Sequence, residues 1–202
     1  MRILVLCPHP DDEICMYGTL TKLHKLGHEI RMVVFSDCHE SLPKEFKDSA
    51  VIDEFMSINE KFNTTINYIL YPVRRFSEYR QDILEDLTWH KEANKPDIVY
   101  LPSSTDIHPD HNTIHNEGIR AFRQSTIHGY VMPKNNLTTD FRCFVTLTQS
   151  HIDAKLKALD GYKTQAHRLY MNHEHHLNYL RATGQLIGVE YCEQFEVIRL
   201  VQ

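Results

Sequence analysis

Twice in this chain an apolar run stops abruptly in a histidine–proline–aspartate turn, and both times a helical pattern follows. The first run is Ile3-Leu4-Val5-Leu6-Cys7, and its turn is Pro8-His9-Pro10-Asp11-Asp12-Glu13. The second is Ile98-Val99-Tyr100-Leu101, and its turn holds His108-Pro109-Asp110-His111. Short runs rich in β-branched residues suit buried strands. A buried strand that passes through a turn into a helix is the building unit of an α/β sheet, and open sheets of this kind bind ligands beyond the carboxyl ends of their strands. Two such turns can meet on one edge of one sheet.

The residue types in the first turn suit a metal. His9 offers a neutral imidazole and Asp12 an anionic oxygen, both good zinc ligands. Pro8 and Pro10 fix φ on either side of His9 and reduce the freedom of the loop. Asp11, next to a ligand, is free to act as a base. Taken alone, Asp11-Asp12-Glu13 is explained equally well as an acidic helix start, since carboxylates are favoured there. The second turn tips the balance, because two separate strand-end turns of this composition are hard to assign to capping alone.

Together, Pro8-His9-Pro10-Asp11-Asp12-Glu13 and His108-Pro109-Asp110-His111 resemble the LmbE-like/PIG-L family of zinc-dependent N-acetylglucosaminyl deacetylases, whose two motifs are (A/P)HPDDE and HPDH. The resemblance implies one domain over residues 1–202 and one Zn2+ per chain held by His9, Asp12 and His111. Another divalent ion such as Fe2+ also suits two nitrogens and one oxygen. It further implies Asp11 as general base, and His108 as the group that steadies the oxyanion or protonates the leaving amine. Asp110 would set the tautomer of a neighbouring histidine. The implied reaction is hydrolysis of the N-acetyl group of an N-acetylglucosamine-type sugar, free, nucleotide-linked or in a glycoconjugate, with release of acetate. Arg74 and Arg75, after the third apolar run, would hold sugar hydroxyls or a phosphate; a solvated basic loop explains them as well. Tyr162 and Gln165 would face the site, by likeness of Lys155-x-x-x-Leu159-x-x-Tyr162-x-x-Gln165 to a family segment. Glu193 and Phe195 resemble the closing Glu-x-Phe, with Glu193 expected near the site mouth and Phe195 in the core. Ser36-Asp37-Cys38 stands where the family usually has Thr-Asp-Gly.

The rest of the chain fits an α/β reading: a single Rossmann-like domain, with a mostly parallel sheet and helices on both faces. Further strands are expected at Ile30–Phe35, Ile66–Leu70, Arg142–Leu147 and near the end of the chain. Helices are expected over Ser41–Asn63, Glu78–Glu92, Thr113–Phe122 and Ser150–Thr164, whereas Tyr130–Met132 reads only as a short apolar segment. No G-x-G-x-x-G follows any strand, so no nucleotide cofactor is expected. The net charge of −5 argues against a general nucleic-acid binder. No apolar run is long enough to span a bilayer, and Met1-Arg2-Ile3 enters a strand directly, so no leader or membrane span is expected. Five cysteines without a C-x-x-C pair suggest a reducing compartment, hence a cytoplasmic location. A homo-oligomer stays open. Three alternatives also stay open: an amidase acting on another N-acyl or thiol-conjugate substrate, a non-catalytic sugar-binding module, and a phosphoesterase. The last needs a second ligand cluster, for which only His173 and His176 offer themselves.

Overall fold

In the computed structural model, which describes residues 1–202, β1 (Arg2–Cys7) lies in the middle of the sheet. Its side chains alternate between two cores. Ile3, Val5 and Cys7 enter one, while Leu4 and Leu6 enter the other. Such a strand has no polar face, so it must be covered on both sides. Helices α1 (Tyr17–Lys25), α2 (Ala50–Asn59) and α5 (Gln149–Leu159) cover the first side, and α3 (Arg80–Asn94) and α4 (Pro109–Ala121) the second.

The sheet has seven strands in the order β3-β2-β1-β4-β5-β7-β6. Strands β2 (Glu29–Val34), β3 (Thr65–Tyr68), β4 (Ile98–Pro102) and β5 (Thr126–Tyr130) run parallel to β1 or its neighbours. Strand β7 (Cys192–Arg199) inserts antiparallel between β5 and β6 (Cys143–Thr146). This is the expected α/β domain with a mostly parallel sheet. The strand order reverses direction between β1 and β4, and the two histidine turns leave the sheet at that point. A last helix, α6 (His173–Gln185), packs against β7. No helix is long and apolar enough to cross a membrane.

Four elements differ from the sequence expectation. The helix expected from Ser41 shrinks to α2, because Pro43 has no N–H to give and holds Leu42 extended (φ −79°, ψ 145°). Helix α4 starts earlier than expected. His108 is its N-cap and Pro109 its first residue, where a missing N–H costs nothing. Helix α5 ends at Leu159, shortly before Gly161, whose backbone runs so close to Ile58 that a Cβ there would lie 2.6 Å from its side chain. Finally β5 is a full strand despite His128 and Gly129. Its pairing with β4 and β7 overrides a composition that reads poorly as strand.

Candidate metal centre and substrate cavity

The loop after β1 turns tightly through a short 3-10 segment, Asp12–Met16, before α1. Within it, the Asp12 carboxylate accepts the backbone N–H of His9 at 2.7 Å, which folds the two side chains toward each other. His111, in the first turn of α4, comes in from the neighbouring strand. His9 Nδ1 and His111 Nε2 lie 3.2 Å apart, His111 Nε2 is 3.3 Å from Asp12 Oδ1, and His9 Nδ1 is 3.7 Å from Asp12 Oδ2. Ligands about 2.0–2.1 Å from a tetrahedral ion are separated by roughly 3.3 Å, so this spacing fits one small divalent cation.

The outer nitrogens support the same reading. Each is tied to a buried carboxylate: His9 Nε2 to Asp110 at 3.0 Å, and His111 Nδ1 to Asp106 at 2.7 Å. In the neutral rings those bonds favour the proton on the outer nitrogens and leave the inner ones with a lone pair for an ion, the usual support of a metal-binding histidine. His108 also approaches the cluster, with its donor atom within 4.8 Å of those of His9 and His111. It and Asp12 are the two candidates for the third ligand position. The His108 Nδ1 is occupied as acceptor of the Asp110 N–H at 3.2 Å. That bond puts the proton of a neutral His108 on Nε2.

The cluster is electrostatically tight. Burial opposes ionisation of Asp12, but the charge and hydrogen bonds of His111 and His9 outweigh it and hold the carboxyl well below the usual range. Burial likewise opposes a charge on His111, yet Asp12 and Asp106 push it up to about 10. His108 goes the other way, down to about 4, through burial and the neighbouring imidazoles. For Asp110, burial is outweighed by the His9 and Arg74 bonds, and its carboxyl is lowered.

A cavity of about 390 Å³ opens over the cluster, walled by His9, Asp11, Asp12, His108, His111, Arg74, Gln165 and Tyr170, with Cys38, Lys134, Asn135 and Arg168 among its other sides. Asp11 stands beside the ligand set. Its Oδ2 accepts the Tyr170 hydroxyl at 2.8 Å, and its Oδ1 has no partner in the chain.

The remaining candidates separate. Arg74 and Gln165 reach the cavity wall. Arg75 does not; it is exposed and paired with Glu78 at 2.6 Å, because residues three apart share one side of the 3-10 turn. Tyr162 lies in the core, not at the cavity. It is fully buried, and its hydroxyl donates to Glu13, whose own burial pushes its carboxyl up to about 8. Glu193 is also internal: 1% exposed, it pairs with Lys155 at 2.7 Å. Phe195 is in the core. Asp110 is enclosed, held by His9 and by the backbone N–H groups of Arg74 and Phe76. Cys38 adopts φ +54°, a left-handed conformation that costs glycine nothing and explains the glycine usual in that loop. His173 pairs with Asp160, and His176 donates to the Tyr170 carbonyl, so the two share no ligand arrangement. Asp106, Tyr170, Lys134 and Arg168 were not read from the sequence. Asp106 lies two residues before the motif, Lys134 and Arg168 lie between elements, and Tyr170 is in a three-residue 3-10 turn, Leu169–Met171, with no pattern.

An open α/β domain with two imidazoles and a carboxylate converging at the switch point of its sheet defines a class of protein: a domain whose strand-end loops form one cavity over side chains that could hold an ion. The chain belongs to the PIG-L family, described as GlcNAc-PI de-N-acetylase, which matches residues 4–122. No curated protein sequence matches it. Solved structures share the fold at low identity. The N,N'-diacetylchitobiose deacetylase from Pyrococcus horikoshii is 24% identical with a TM-score of 0.78, over 98% of this chain and 83% of that one. The conserved protein TT1542 from Thermus thermophilus is 18% identical with a TM-score of 0.83, over 99% and 96%. GalB, the 4-carboxy-2-hydroxymuconate hydratase from Pseudomonas putida, is 16% identical with a TM-score of 0.80, over 100% and 98%.

Proposed function

We propose that this chain is a divalent-metal-dependent hydrolase that removes the N-acetyl group from an N-acetylglucosamine-type amino sugar. One observation carries the reading: Asp11, with an open carboxylate oxygen, shares a cavity with three converging ligand atoms whose outer partners are already fixed. Family membership and the chitobiose deacetylase neighbour agree with it. His9, Asp12 and His111 would hold the ion, and zinc or ferrous iron both suit them. When bound, the ion supplies acidity to a water and polarises an amide carbonyl.

The chain's own groups do the rest. Asp11 Oδ1 takes the proton of the attacking water, while Tyr170 keeps Oδ2 in place. His108 is neutral at pH 7 and carries its proton on Nε2, so it donates a hydrogen bond to the oxygen that gains charge. Asp11 then returns its proton to the departing amine. Asp110 and Asp106 touch no substrate; they hold His9 and His111 in the ligating tautomer. Gln165 supplies an amide to the sugar.

Asp11→Asn tests this reading. The variant keeps size, the Tyr170 bond and the ligand set, so it should retain its metal while acetate release falls by about 10²–10⁴-fold. Asp12→Ala and His111→Ala should lose the ion. Full activity in Asp11→Asn would remove Asp11 from the chemistry, and activity in neither parent nor variant would make the chain a binder. A second reading has the hydratase neighbour behind it, since the same fold carries water addition there. Release of acetate from N-acetyl sugars by the parent decides between the two.

A further inference from the structure

The connection from β3 to α3 holds a residue in an unfavourable backbone conformation: Arg74, at φ +68°. Asn63 and Lys95 are left-handed too, but they follow a 3-10 segment and α3, where that conformation is an ordinary way to end a helix. Arg74 ends no helix. It is the third residue of a four-residue turn, Pro72 to Arg75, closed by the Arg75 N–H on the Pro72 carbonyl at 3.2 Å. A positive φ at that place in a turn usually falls to glycine. The Arg74 side chain is exposed and its guanidinium makes no hydrogen bond within the chain, so the side chain does not account for the conformation.

The main chain does account for it. Two N–H groups of this turn converge on the Asp110 carboxylate, Arg74 on Oδ2 at 2.6 Å and Phe76 on Oδ1 at 3.3 Å. The Asp110 side chain is wholly buried, and its third contact is His9 Nε2, 3.0 Å from the same Oδ2. Neighbouring N–H groups turned inward by a left-handed residue make a concave seat for an anion, and here the anion is the chain's own carboxylate. Without that seat Asp110 would keep one of these three donors, a costly state for a buried carboxylate. Phe76 also sets its ring against His9, with centroids 6.0 Å apart. One turn thus grips one ring twice, at its outer nitrogen through Asp110 and on its side through Phe76. We propose that the turn from Pro72 to Phe76 is a positioning element of the metal site, and that Arg74 serves it through its backbone. Its left-handed conformation seats Asp110, and Asp110 fixes the His9 ring so that Nδ1 faces the ion. This rests on the ion-binding part of the proposed function and not on the identity of the sugar.

The test removes the same guanidinium in two ways. Arg74→Gly leaves a residue at ease with a positive φ, whereas Arg74→Val puts a β-branched side chain where such residues resist it. Zn2+ affinity is measured by competition with a chromophoric chelator, and protection of the residue 74 amide by hydrogen exchange on the zinc-free protein. Arg74→Gly should bind Zn2+ as the parent does and keep the amide protected. Arg74→Val should lose the protection and bind Zn2+ about 10-fold or more weakly, the usual scale for losing the outer partner of a metal-binding histidine. Arg75→Val is the control: it removes the neighbouring guanidinium at φ −124°, which suits a branched residue, and should leave Zn2+ affinity unchanged. Arg74→Thr, also β-branched, takes the place of Arg74→Val if that chain does not fold. Equal Zn2+ affinity in Arg74→Gly and Arg74→Val, whether kept or lost, overturns the proposal, as does weaker binding with the amide still protected. A parent that binds no Zn2+ is a different failure, since it removes the ion from the proposed function itself.

Discussion

An imidazole can serve a metal through one nitrogen only while the other holds its proton, and here Asp110 and Asp106 hold those protons for His9 and His111. Asp106→Ala should therefore lower metal affinity by about 10–100-fold without removing a ligand, as chelator competition would show. An unchanged affinity would reduce Asp106 to a loop residue that also accepts the His108 N–H at 2.9 Å. The residues of the two turns were legible because their chemistry and order are dense in the sequence. Their partners were not. Asp110 finds His9 across 101 positions, and Tyr170 finds Asp11 across 159. Such pairs exist only once the sheet is assembled, and no local pattern announces them. Arg74 and Arg75 make the same point, since adjacent residues end up with opposite fates set by one left-handed backbone angle.

Among elements, the 3-10 segment and α1 are gripped from outside by one buried ion pair. Lys155 Nζ donates to the carbonyls of Ile14 and Cys15, which end the 3-10 segment, and to Glu193. Glu193 in turn accepts the N–H groups of Gly18 and Thr19, at 3.1 and 2.7 Å, in the first turn of α1. Three elements, α1, α5 and β7, are thereby joined at one point. Breaking a buried pair from one side strands a charge, so Lys155→Met should cost about 3–5 kcal/mol in a urea titration. Adding Glu193→Gln to it should recover part of that loss. A double variant less stable than Lys155→Met would show that the carboxylate matters as a helix cap more than as a counter-ion. The strands and most helices around this clamp were legible from apolar periodicity. What failed were helix boundaries, such as the one at Pro43, and strand β5, whose place comes from its neighbours.

At the scale of the whole molecule, several histidines are folded in as neutral groups. Burial lowers His90 and His128, and takes His176 down to about 3. An unfolded histidine titrates near about 6.5. Between that value and its folded pKa, each such group binds more protons in the unfolded chain, so stability is complete above about 6.5 and is lost as pH falls. The slope is about 1.4 kcal/mol per pH unit for each full proton. Urea midpoints of the parent should thus fall more steeply from pH 7 to pH 4 than those of His176→Gln; parallel curves would take His176 out of this account. The clamp has its own reach across the molecule, because Glu193 meets Gly18 over 175 positions. During synthesis, then, the loop with His9 and Asp12 is made well before the strand that fastens the helix after it, which follows 175 positions later. A nascent chain can present His9 and His111 long before this clamp can hold the first of their loops still.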